Sequence, residues 1–220
     1  MYDFVRGPLV WVAFIIFIGG LVYQVFQFFS MTQKKEPVYA PGGGRDRQGR
    51  SAGWVNQWAS FLLGKTIRGT HPVMTVVTSV FHVCLILTPI FLLAHSILFY
   101  ESWGVTPWSF SEPTADVMTV IVLACCAFFL FRRIFVRRVR AITTAYDYLI
   151  LLIAAAPFLS GYLAYHQWFD YETMLIAHIL AGEVMLIVIP FTKLGHMLFF
   201  FLYRFFIGSE YSFGQGTRTW

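Results

Sequence analysis

The sequence predicts an all-α membrane protein of five transmembrane helices, with its N-terminus outside and its C-terminus inside. Three observations carry that reading. The composition is 58% hydrophobic and only 12% charged, with a mean hydropathy of +0.66; soluble domains carry about a quarter of their residues as charges. Apolar runs stand at roughly 8–29, 72–100, 115–131, 146–168 and 172–206. Each approaches or exceeds the ~18 residues that cross the ~30 Å hydrocarbon core as a helix. Basic residues gather in alternate connections. Lys34, Lys35, Arg45, Arg47, Arg50, Lys65 and Arg68 follow the first run, and Arg132, Arg133, Arg137, Arg138 and Arg140 follow the third, while 101–114 and 169–171 hold no Lys or Arg. Positive-inside bias sets the orientation from that asymmetry. It also accounts for the net charge of +5, which therefore gives no footing to nucleic-acid binding. No sizeable polar domain interrupts the pattern, so residues 1–220 read as a single bundle.

The first run is too long for a signal peptide, and QVFQFFS offers no small-residue cleavage site. It reads as a span. In the 30–70 connection, KKEPVYAPGGGRDRQGR is rich in Gly, Pro and Arg and predicts a linker. GWVNQWASFLLGK follows, with Trp54, Trp58, Phe61 and Leu62 on one helical stripe, as an interfacial helix requires. Pro89 inside the second run predicts a kink. Thr143, Thr144 and Asp147 predict a cap for the fourth helix. The fifth run exceeds one bilayer thickness, so its helix tilts or continues into the cytoplasm.

Histidine is the polar residue these runs repeat at membrane depth. His82 and His95 lie in the second run, His178 and His196 in the fifth. A buried polar group without a partner is costly, and imidazole is a common ligand of metals and haem iron. The runs are antiparallel, so depth pairs His82 with His196 and His95 with His178 as axial ligands of two haem b groups, one towards each face. Eighteen residues is five whole turns, which puts His178 and His196 on one face of a continuous helix. The thirteen residues from His82 to His95 leave those two roughly 140° apart on an ideal helix, a mismatch the Pro89 kink would reduce. His71 has the better phase with His82, but it precedes Pro72 at the helix start. Whether His95 or His71 completes the set stays open at this point.

Other residues have supporting places. Arg138, Arg140 and Lys193 lie where an inner haem would present its propionates. Gly182, one turn beyond His178, would let a porphyrin approach the backbone. His166, near Tyr165, Asp170 and Glu172 at the outer end of the fourth run, is a candidate for proton exchange with a quinol. Cys84, Cys125 and Cys126 lack the spacing of a disulfide or a cluster and read as packing residues. A haem-free anchor for redox subunits, or a histidine-lined proton or ion pathway, would also place histidines in the membrane.

Three segments carry a family likeness. RRVRAITTAYDYLILL (137–152), HILAGEVMLIVIPFTKLGH (178–196) and SVFHVC (79–84) resemble the respiratory nitrate reductase gamma subunit, over most of 72–205. Within that likeness the sequence is most similar to the cytochrome b subunits of the transmembrane redox complexes of sulfate reducers, such as the high-molecular-weight cytochrome complex. The resemblance implies a multi-pass protein of the bacterial cytoplasmic membrane with two bis-histidine haems. It implies as partners a cytoplasmic iron–sulfur protein, a further membrane subunit and a periplasmic multihaem cytochrome c, with menaquinone as a second cofactor. Two departures stand out: that family spaces its second-span histidines more closely, and its basic quinone-site residue has no counterpart where Asp116 and Met118 stand here.

Overall fold

The computed structural model describes residues 2–31 and 72–207. The amphipathic stripe around Trp54, the basic residues of 32–70 and His71 lie outside those residues. All regular structure among them is helical. Five helices are long and apolar enough to cross a membrane: Tyr2–Ser30, Pro72–Phe91, Glu112–Phe135, Ala145–Tyr165 and Tyr171–Phe191. We label the elements α1 (Tyr2–Ser30), α2 (Pro72–Phe91), α3 (Leu93–Trp103), α4 (Glu112–Phe135), α5 (Ala145–Tyr165), α6 (Tyr171–Val188) and α7 (His196–Ile207). Large apolar side chains such as Ile15, Phe26, Val73, Val117 and Leu152 are exposed. That is an arrangement lipid tolerates and water does not.

Two compact units divide the described residues, 2–16 with 73–188, and 17–31 and Pro72 with 189–207. The first has a core of Phe81 and Cys84 from α2, Val122, Cys125 and Cys126 from α4, and Phe158 from α5. All three cysteines are buried and free, as packing residues should be. At one end of this unit Arg6 pairs with Glu101, and the Trp11 ring meets the edge of Trp103 at 6.2 Å. Pro8, with no N–H to offer, lies in a π-helical turn at Val5–Leu9. The start of α5 is capped as expected: the Asp147 carboxylate accepts the Thr144 N–H at 2.8 Å and its hydroxyl at 2.9 Å. Thr143 turns back instead, to the Val139 carbonyl.

The expected second run is two helices. Pro89 removes the hydrogen bond to the Leu85 carbonyl, α2 ends at Phe91, and Leu92 is extended (φ −69°, ψ 132°) before α3 begins. The Phe91 carbonyl released there accepts the Phe110 N–H at 2.9 Å.

The fifth run also departs from expectation. A single helix over 172–206 is replaced by α6, two 3₁₀ turns at Ile189–Phe191 and Lys193–Gly195, and then α7. Pro190 is the cause, since its ring conflicts with the carbonyl one turn back and it has no N–H for the ladder. Thr192 is extended and its hydroxyl accepts the Leu194 N–H at 3.3 Å. The five-turn phase argument for His178 and His196 therefore lapses: they sit on separate helices. Within the second unit, Gln24 Nε2 donates to the Pro190 carbonyl at 2.8 Å. A Cβ at Gly20 would stand 2.7 Å from the Pro190 ring, so this close approach requires glycine.

Candidate functional site

The break at Leu92 re-sets the helical phase before His95, and its consequence is chemical. His95 Nδ1 lies 2.7 Å from the Pro89 carbonyl, six residues back, a bond no continuous helix permits. On α6, His178 Nδ1 lies 2.8 Å from the Pro157 carbonyl of α5. A carbonyl can only accept, so each ring donates through Nδ1–H and keeps its lone pair on Nε2. The rings are 5.9 Å apart between centroids, with planes inclined by 23°. Two half-buried imidazoles of one tautomer, each oriented by a backbone carbonyl, have the free ring nitrogens with which histidines can hold a metal. Among the described residues no three His, Cys, Asp or Glu side chains converge. Two axial nitrogens suffice for a haem, whose porphyrin supplies the equatorial ligands.

Two residues that hold this pair escaped the sequence reading. Pro157 supplies the carbonyl for His178. Gly161, one turn further along α5, lies under the same ring: a Cβ there would stand 2.9 Å from Nδ1 and 3.0 Å from Cε1. A proline and a glycine one turn apart inside an apolar span were the available signal. At Gly182 a Cβ would meet nothing within 4 Å. The side of α6 one turn from His178 is thus open, as a flat ligand against the backbone would need.

His82 Nδ1 lies 2.7 Å from the Thr78 carbonyl, with the Phe81 ring edge-on at 5.2 Å. In the other unit His196 begins α7, its Nδ1 2.7 Å from the Lys193 carbonyl. A shallow depression of about 410 Å³ beside it is lined by Thr192, Lys193, His196 and Phe199. The partnership of His82 with His196 joins residues of different units and remains an expectation. Arg138 and Arg140 stand exposed on a single helical turn, Arg137–Arg140. Arg133, which the sequence offers only as one of the inner basic residues, lies at the same end of α4, and its Nη1 is buried without a hydrogen-bond partner among the described residues. A buried guanidinium nitrogen is the better candidate to meet an anionic group.

His166 stands apart from the ring pair. Its Nε2 is 3.0 Å from Asp116 Oδ1, and the Tyr162 ring lies 4.3 Å away. Tyr165 donates to Glu112 at 3.3 Å, and the next residue after His166, Gln167, has a left-handed φ of 52°. Asp116, noted from sequence only for replacing a basic residue, is the partner of this histidine. Asp170 caps α6, accepting the Thr173 hydroxyl at 2.7 Å and its N–H at 2.9 Å. These donors hold its carboxyl below the usual carboxylate range.

Helices of this length and apolarity, with lipid-type exposure, define a multi-pass, all-helical membrane protein. The chain belongs to one family with a protein of Nitratidesulfovibrio vulgaris, to which it is 35% identical over 221 residues, covering 100% of this chain and 97% of that one. That relative is named only "Protein". No family model and no solved structure matches the chain.

Proposed function

We propose that this protein is the di-haem cytochrome b subunit of a respiratory redox complex in the bacterial cytoplasmic membrane. It would pass electrons between a periplasmic-side partner, a multihaem cytochrome c or the quinone pool, and a cytoplasmic iron–sulfur subunit. His95 and His178 would hold one haem, and His82 and His196 the other. The observation that carries the reading is the His95–His178 geometry: ring centroids 5.9 Å apart with both Nδ1 atoms on proline carbonyls, which leaves each Nε2 lone pair available to iron. Open space beside Gly182 suits a porphyrin, and the buried Nη1 of Arg133 suits a propionate. When bound, haem supplies one-electron transfer. The chain's own residues fix the ring tautomers, seat the ligand and exclude water.

A reduced-minus-oxidised absorption spectrum of the purified complex tests this. A b-type α-band is expected, and His178→Ala should remove about half of it. Absence of any haem spectrum in membranes supplied with haem would refute the proposal and leave the haem-free anchor or the ion pathway. A second reading, exchange of protons with a menaquinol, is favoured by the His166–Asp116 pair. In that case Asp116→Asn should lower quinol-dependent haem reduction while leaving dithionite reduction unchanged. Equal quinol rates in both proteins would dismiss it.

A further inference from the structure

Glu183 is a carboxyl at membrane depth with no structural task. It lies on α6, only 4% exposed, and both its oxygens are buried without a partner among the described residues. An ionised carboxylate in such a place is strongly disfavoured unless something compensates it. An ionisable residue within a span, facing the protein interior, is a functional site by default. The question is what compensates it.

Its place along the helix supplies the answer. Glu183 follows His178 by five residues, roughly 7.5 Å further along the same helix. The Pro157 and Gly161 contacts to His178 fix the antiparallel register of α5 against α6. That register sets Glu183 level with the Leu151–Pro157 run, which contains no titratable residue. The other packed segment, Val5–Leu9, offers only Arg6, already paired with Glu101. On α3 the titratable groups are His95, Tyr100 and Glu101, and on α2 His82 and Cys84. No fixed cation among these elements is placed to balance a carboxylate at Glu183. The buried hydroxyls of Thr88 and Ser96, on either side of the break that positions His95, are also unpartnered among the described residues. Hydroxyls both donate and accept, so they can relay a proton.

We propose that Glu183 is a redox-linked proton acceptor, taking up a proton when an electron reaches the iron held by His95 and His178. This rests on the haem reading above. One electron arrives from the iron–sulfur or cytochrome c partner and one proton arrives from bulk water. With the haem oxidised, its net positive charge would be the counter-charge that lets Glu183 ionise; the arriving electron cancels it, and protonation of the carboxylate then removes the uncompensated charge. When the electron leaves, Glu183 releases the proton. Carboxyl and haem thus exchange charge without leaving net charge behind in the membrane.

The test is redox titration of the purified complex across a range of pH, read in the haem α-band. In the wild type the redox equilibrium of one haem should shift with pH by up to tenfold per unit, about 59 mV for a one-electron couple. The second haem should not follow it. Glu183→Gln should bind both haems and abolish that shift, while Glu183→Asp should keep it over a displaced pH range. A pH-independent wild type, or an undiminished shift in Glu183→Gln, overturns the proposal with the haem reading intact; a wild type without haem overturns both. If Glu183→Gln does not assemble, the infrared redox difference spectrum of the wild type decides. A carboxylic-acid band that moves in deuterium oxide is expected on reduction, and its absence refutes the assignment.

Discussion

Replacing Gly161 with alanine separates the histidine geometry from general helix packing. The new Cβ would stand 2.9 Å from His178 Nδ1 and 3.0 Å from Cε1, closer than carbon atoms approach ring atoms. The ring must turn or α5 and α6 must part, and either move strains the 2.8 Å bond to the Pro157 carbonyl. Overpacking a filled site costs about 1–3 kcal/mol, and a lost hydrogen bond adds about 1 kcal/mol. The expected loss is therefore roughly 2–4 kcal/mol, more than a tenfold drop in occupancy of whatever His178 binds at limiting ligand. Haem content per protein and thermal denaturation measure it. Gly182→Ala is the paired control, since its Cβ meets nothing within 4 Å of the protein. It should leave the fold intact and disturb only a ligand lying on that side of α6. A Gly161→Ala protein with wild-type haem content, spectrum and melting temperature would refute the account of His178.

Two further predictions concern charge. Arg133→Leu should leave the haem-free protein at least as stable to heat, because a buried guanidinium nitrogen without a partner among the described residues is a cost, yet shift the potential of one haem in the haem-bound protein. An unchanged potential in both haems would show that Arg133 does not meet a propionate. Asp170 is held low by Thr173, so its stabilising effect is complete above the ordinary Asp range of about 4 and lost as pH falls through its lower folded value. Asp170→Asn should therefore flatten the acid limb of a melting-temperature profile and leave neutral haem spectra unchanged; an identical acid limb would remove Asp170 from the account.

The spans were legible because lipid imposes a simple rule: apolar length makes a helix. All five runs hold helices, and the Thr144–Asp147 cap appears where its residues foretold it. Interruptions were harder to place. Pro89 announced a kink, but its outcome as a full break at Leu92 depends on where the freed carbonyls find donors, in His95 and Phe110. Pro190 was read as part of a motif and not as a stop, so α6 and α7 were joined. Local pattern also hid the partner of His166, because Asp116 lies fifty residues away on another helix. Arg133 reads in the sequence as one more flanking charge, and nothing in the pattern singles out Glu183. Only burial without a partner distinguishes them, and burial is a property of the packed bundle.

Prolines and histidines in this bundle compensate one another. A backbone carbonyl freed within hydrocarbon must find a donor, and an imidazole N–H at the same depth must find an acceptor. At the Pro89 break the carbonyl turns out of the ladder and His95 takes it; on α5 the Pro157 carbonyl takes His178 as a further donor. At the Pro89 break each partner alone is a defect, and in both pairs the bond fixes which ring nitrogen is left for chemistry. A double-mutant cycle exposes the coupling. Pro89→Ala lets α2 run on and carries His95 off its acceptor; His95→Ala leaves the Pro89 carbonyl unpaired. If the two form one unit, their effects on thermal stability in haem-free membranes should be non-additive by about 0.5–3 kcal/mol, the double variant losing less than the separate losses combined. Additivity within about 0.5 kcal/mol would mean that the break stands without its histidine, and that His95 meets His178 by packing alone.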